Sequence, residues 1–94
     1  LAVSEADIVY TDVWTSMGQE NETQERRQLF ADYQVNDDLL SLAKEDAILM
    51  HPLPAHHGEE VAKGILNSPA SVVFDQAENR MQVQKTLLAK MLGV

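Results

Sequence analysis

Three stretches of this chain hold the residue types best suited to chemistry. Asp12 follows the apolar run Ile8-Val9-Tyr10 and stands four residues before Ser16-Met17-Gly18. A carboxylate at the end of an apolar strand is costly unless it is paired or opens onto a cleft, so Asp12 either caps a loop amide or receives a cation. Ser16-Met17-Gly18 reads as a strand-to-helix turn in which glycine supplies an unusual φ. The second stretch is His51-Pro52-Leu53-Pro54-Ala55-His56-His57. Two prolines straddling Leu53 fix a rigid turn whose carbonyls the neighbouring backbone cannot all use, and each Xaa–Pro bond is a candidate cis peptide. His51, His56 and His57 with Glu59 or Glu60 offer metal-ligand chemistry. The prolines spoil any regular ligand spacing, and histidines in a cleft wall are the plainer reading. In the third stretch Arg80 stands beside Glu78 and after Asn79, one turn into a helix. That is the wrong end of the helix dipole for a cation. Arg80 is therefore either a solvated surface arginine or a fixed cation facing an anionic or carbonyl oxygen.

The elements that must position these residues alternate. Asp7 to Trp14 is rich in β-branched and aromatic residues and reads as a buried strand. Glu20 to Tyr33 reads as a helix with Leu29, Phe30 and Tyr33 along one stripe. Gln34-Val35 is a candidate short strand. Asn36 reads as the N-cap of a short helix whose buried face is Leu39, Leu40, Leu42 and Ala43, with Asp37 and Asp38 in its first turn. Ala47 to His51 suits a buried strand that Pro52 and Pro54 end. Glu59 to Leu66 is expected to be a helix and Ser71 to Phe74 a short strand or connector. Asp75 is expected to cap a last helix with Ala77, Met81, Leu87, Leu88 and Met91 on its apolar side.

Strands alternating with helices imply an α/β fold with a parallel sheet and flanking helices, a partial Rossmann-like, doubly wound domain. In such a sheet ligands bind beyond the carboxyl ends of the strands. The stretches after those ends, Asp12 to Gly18, His51 to His57 and Asp75 to Arg80, are the ones that carry the unusual residues, and the topology predicts that they face one crevice.

Composition narrows the partners. The chain has 94 residues, 45% of them apolar and 23% charged, enough for one small domain or part of one. Its net charge of −8 and a basic run no longer than Arg26-Arg27 argue against nucleic acid or an anionic membrane surface. The absence of cysteine removes disulfides and thiolate chemistry and fits a reducing, cytoplasmic setting. The longest apolar run, Ala47-Ile48-Leu49-Met50, is far short of the ~20 residues of a membrane span. The first residues carry neither an initiator methionine nor a signal peptide pattern, which suggests a piece of a longer protein.

Three motifs in register, Asp12-Val13-Trp14-Thr15-Ser16-Met17-Gly18-Gln19-Glu20, His51-Pro52-Leu53-Pro54-Ala55-His56-His57-Gly58-Glu59-Glu60-Val61 and Phe74-Asp75-Gln76-Ala77-Glu78-Asn79-Arg80, together resemble the ornithine carbamoyltransferase family over nearly the whole chain. The resemblance implies that residues 1–94 are the C-terminal portion of an amino-acid (ornithine)-binding domain, with the N-terminal carbamoyl-phosphate domain absent. It implies transfer of a carbamoyl group from carbamoyl phosphate to the δ-amine of ornithine, giving citrulline and phosphate, in a homotrimeric parent enzyme of arginine biosynthesis. No cofactor or metal is expected. By resemblance Asp12 would hold the substrate's α-amino group, and Ser16 with Met17 would sit on a mobile loop that closes over it and expels water. Leu53 would present its backbone carbonyl to the reacting groups beside a cis peptide preceding Pro54. Arg80 would contact the carbonyl oxygen of carbamoyl phosphate, where attack by a neutral amine builds negative charge.

Two positions depart from the family pattern. Pro52 occupies the position of the cysteine in the usual His-Cys-Leu-Pro, giving the form seen in aspartate carbamoyltransferases, and His57 stands where arginine is common. Asp12 with Ser16-Met17-Gly18, and arginine after Glu78-Asn79, favour ornithine over aspartate. The resemblance also implies that the last helix packs on the absent domain and that the 94 residues alone do not make citrulline. The alternatives are a non-catalytic acidic interaction module or another transcarbamylase, of aspartate or putrescine type.

Overall fold

In the computed structural model, which describes all residues except Leu1, Met17 and Gln19, two short strands pair in parallel at the centre. Strand β1 (Ile8–Tyr10) lies beside β2 (Ile48–Met50) with Ile8 opposite Ile48, Val9 opposite Leu49 and Tyr10 opposite Met50. Between them run α1 (Thr23–Phe30), flanked by single 3-10 turns at Glu20–Glu22 and Ala31–Tyr33, and α2 (Asp37–Leu40). A 3-10 turn at Ile65–Asn67 and the 20-residue α3 (Val73–Leu92) follow. Isolated parallel bridges tie Val35 to Val61 and Leu49 to Ser71, which extends the ladder around β2. The α/β class with a parallel sheet and flanking helices is thus the observed one.

Period-two alternation sets the core. Val9 and Leu49 face inward and join Val35, Val61, Ile65, Leu66 and Val73 in one cluster. Leu49, Val61 and Val73 are wholly buried. Strand β1 is shorter than the Asp7–Trp14 run and is buried on one face only, because Ile8 and Tyr10 point away from the cluster and are exposed. Leu39, Leu40 and Ala43 pack on the core as expected, whereas Leu42 turns outward.

The expected helix over 59–66 does not form. Val61 instead pairs with both Val35 and His57, and Gly64 takes a left-handed φ of 81°, so this stretch is spent on turns and bridges. A glycine at that φ breaks a helix at little steric cost. Nor does Asp75 cap α3. The helix begins two residues earlier, at Val73, with no side-chain cap bond, and Asp75 sits in its first turn.

Asn36 is the N-cap of α2, with its Oδ1 accepting the Leu39 N–H at 2.9 Å. Such a cap is worth about 1 kcal/mol. Replacing Asn36 by alanine is therefore expected to lower the midpoint of thermal unfolding by roughly 4–8 °C, read by circular dichroism; an unchanged midpoint would contradict the assignment.

Helix α3 buries only Val73 and exposes Met81, Val83, Leu87, Leu88 and Met91. Its apolar face therefore has no partner among the described residues. No helix among them is long and apolar enough to cross a membrane.

Candidate active site

The turn after β2 is organised by one buried histidine. His51 and Glu60 are both fully buried. The Leu53 N–H donates to His51 Nδ1 at 2.8 Å, so Nδ1 is unprotonated and the ring is neutral. Nε2 therefore carries the ring's proton and donates a hydrogen bond to Glu60 Oε1 at 2.9 Å. The same Glu60 oxygen accepts the His56 N–H at 2.8 Å. From the first turn of α3, Gln76 Oε1 accepts the His51 N–H at 3.0 Å. The segment from His51 to His56 is thus held at its beginning, middle and end.

Within it Leu53 takes a left-handed φ of 54°, and the peptide bond to Pro54 is cis, as the resemblance implied. A leucine at positive φ costs on the order of 1–3 kcal/mol and persists only where its surroundings fix it. Here the Nδ1 acceptor of His51 does so.

Asp12, Thr15, Ser16, Leu53, His56 and Glu59 line one cavity of about 590 Å³. Arg27 also lines it and is anchored by Glu59, with its Nε 2.6 Å from Glu59 Oε1. Helix α1 is tied to the same edge by Arg26, which donates to the Trp14 carbonyl at 2.8 Å. Asp12 is exposed, and its Oδ1 accepts the Val13 N–H at 2.7 Å. The local cap and the cleft carboxylate are therefore the same side chain, since one hydrogen bond to a carboxylate leaves capacity for a cation.

The structure brings Asp12, Ser16 and Leu53 to one crevice. Met17 lies outside the described residues. Pro52 is half-buried next to Leu53 and does not line the cavity. Arg80 is exposed on the second turn of α3, away from the cavity lining, and has no hydrogen bond or ion pair among the described residues. Of the residues that organise the turn, Gln76 was not singled out from sequence; His51 and Glu60 entered only as candidate metal ligands, and His51 was otherwise grouped with its neighbours as a wall histidine. Its place at the end of a buried strand, directly before Pro-Leu-Pro, is the signal that separates it from His56 and His57.

An exposed carboxylate and a conformationally fixed backbone turn line the same cavity, an arrangement that suits a molecule with a cationic head and a second polar group.

Comparison with known proteins agrees in family. A family model described as aspartate/ornithine carbamoyltransferase, Asp/Orn binding domain, matches residues 1–91. The ornithine carbamoyltransferase of Thermococcus kodakarensis is 58% identical over 92 residues, covering 98% of this chain and 29% of that protein. The solved ornithine carbamoyltransferase of Pyrococcus furiosus superposes with a TM-score of 0.85 at 59% identity, over 94% of this chain and 28% of that one. The anabolic enzyme of Campylobacter jejuni gives 0.90 at 40% identity, over 98% and 30%. This chain spans less than a third of the length of these relatives.

Proposed function

This chain belongs to the aspartate/ornithine carbamoyltransferase family, and we propose that it supplies the amino-acid side of an ornithine carbamoyltransferase centre. In the proposed reaction the δ-amine of ornithine attacks the carbonyl carbon of carbamoyl phosphate. An N–C bond forms, the C–O bond to phosphate breaks, the amine loses a proton, and citrulline and phosphate leave.

The observation that carries this reading is the convergence of Asp12, Ser16 and Leu53 on one cavity. The Asp12 carboxylate takes the α-ammonium of ornithine. The side chain then runs toward the turn, where the Leu53 carbonyl accepts a hydrogen bond from the δ-amine and aims its lone pair. Ser16, with Met17, belongs to the loop that closes over the bound amino acid, and closure strengthens the Asp12 contact by removing water. Arg80 is assigned to the carbonyl oxygen of carbamoyl phosphate, a role its exposed, unpaired guanidinium permits. Pro52, in place of a thiol, leaves orientation of the amine to backbone groups. The reading extends to a homotrimeric, cytoplasmic parent enzyme of arginine biosynthesis.

Acceptor preference tests it. With carbamoyl phosphate, the purified full-length protein is expected to carbamoylate ornithine at least about a hundredfold more efficiently than aspartate, because the arginine in the cavity wall, Arg27, is already paired with Glu59 and Asp12 repels a second carboxylate. Putrescine keeps the amine but loses the α-carboxylate and falls between them. Aspartate as the best acceptor would overturn the reading.

A further inference from the structure

Glu60 has a defect that the hydrogen bonds around it do not remove. Its Oε1 is fully used by His51 Nε2 and the His56 N–H, yet Oε2 is buried and bonds to nothing. His51 is neutral, because its Nδ1 accepts the Leu53 N–H, and no lysine or arginine pairs with Glu60 among the described residues. Ionised, Glu60 is a buried charge without a counter-cation; protonated, it buries an O–H without an acceptor. Either state costs free energy that a bound cation removes, since buried charges are paired or coordinate metals.

The neighbours of Glu60 are those such a cation needs. One ring nitrogen of His56 and one oxygen each of Glu59 and Glu60 lie within 4.8 Å of one another. His56 Nδ1 and Glu59 Oε2 are 3.6 Å apart, too far for a hydrogen bond. Two donors sharing a zinc-sized ion at ordinary bond lengths stand about 3.3 Å apart, so His56 and Glu59 are already near bridging distance and a Glu60 oxygen, within 4.8 Å, has to move toward them to complete the site. Arg27 occupies Glu59 Oε1 and leaves Oε2 on the His56 side. His56 is exposed and provides the entry path.

We propose that His56, Glu59 and Glu60 form a binding site for a divalent transition-metal ion of the zinc class. One imidazole and two carboxylates suit zinc or cobalt; three protein donors are too few for calcium, and imidazole does not suit magnesium. Three protein ligands leave a coordination position open, and with His56 and Glu59 in its wall the cavity adjoins it. The site stands on geometry alone and does not depend on which amine the cavity accepts.

Titration of the purified full-length protein with Co²⁺ tests it, read by visible absorption and by calorimetry. One equivalent is expected to bind with the strong visible bands of a four- or five-coordinate ion, and Zn²⁺ to displace it. The exposed-site variant His56→Ala and, separately, Glu59→Gln are each expected to weaken binding at least about tenfold. Absence of a stoichiometric site, or equal Co²⁺ affinity in wild type and both variants, would overturn the proposal. The readout is metal binding rather than transfer, so this result is independent of the carbamoyltransferase assay.

Discussion

Exchanging Asp12 for asparagine is expected to lower kcat/KM for ornithine by roughly a hundredfold, mainly through KM, with the KM of carbamoyl phosphate and the thermal midpoint nearly unchanged. The size follows from where the charge sits. In open water an ion pair with its charge centres about 4 Å apart is worth only about 1 kcal/mol, but at the effective dielectric of a partly closed cavity about 4 kcal/mol. Part of that returns to desolvation of the carboxylate and the ammonium, leaving roughly 2.7 kcal/mol, which is the hundredfold. Stability is spared because asparagine keeps an oxygen for the Val13 N–H, and Asp12 is exposed. Steady-state kinetics over ornithine concentration, beside a melting curve, checks both halves. A loss confined to carbamoyl phosphate, or none at all, would remove Asp12 from the amine site.

Replacing His51 by alanine is expected to destabilise the fold by about 3–5 kcal/mol, because it leaves Glu60 buried without its donor and the Leu53 N–H without its acceptor. Against a total stability of about 5–15 kcal/mol this is a large fraction. Two milder variants separate the jobs of the ring. Asparagine places its amide near the Nδ1 position, so His51→Asn retains the Leu53 acceptor and gives up the Glu60 contact. Glutamine reaches the Nε2 position, so His51→Gln retains Glu60 and frees Leu53. The expected pattern is a better-preserved kcat in the asparagine variant and a better-preserved melting midpoint in the glutamine variant. A displacement of about 1 Å at the reacting groups is enough to cost on the order of a hundredfold in rate. Parallel losses of kcat and stability in both variants would make His51 a purely structural residue.

Local patterns in the sequence found what local physics controls. Asn36 caps α2 because an N-cap needs only its own side chain and the next few amides. Val9 and Leu49 were legible as core only as members of apolar runs that read as buried strands; the alternation that leaves Ile8 and Tyr10 exposed was not read. Residues 59–66 defeated the same reasoning. Their helix-forming composition lost to pairing of Val61 with Val35, a partner 26 residues earlier that no local window contains. Asp75 looked like a cap because aspartate often is one, but the Leu49–Ser71 bridge and the burial of Val73 set where α3 begins.

The candidate site shows the same division. Asp12, Ser16 and Leu53 were found from strand ends, turn residues and a motif resemblance, and they converge. His51, Glu60 and Gln76 organise the turn through bonds spanning 9 and 25 residues, which only the folded chain displays. Arg80 was legible as an unusual cation, but the expectation that Asp75–Arg80 shares the crevice of Asp12 and Leu53 is not met, because Arg80 is exposed and does not line that cavity.

In the proposed complex the cavity holds ornithine between Asp12 and the turn at Leu53. A crystal structure of the full-length protein with bound ornithine tests it most directly. The α-ammonium is expected about 2.7–2.9 Å from the Asp12 carboxylate, with the δ-nitrogen within hydrogen-bonding reach of the Leu53 carbonyl. Ornithine bound elsewhere, or bound here with its carboxylate rather than its ammonium toward Asp12, would contradict the account.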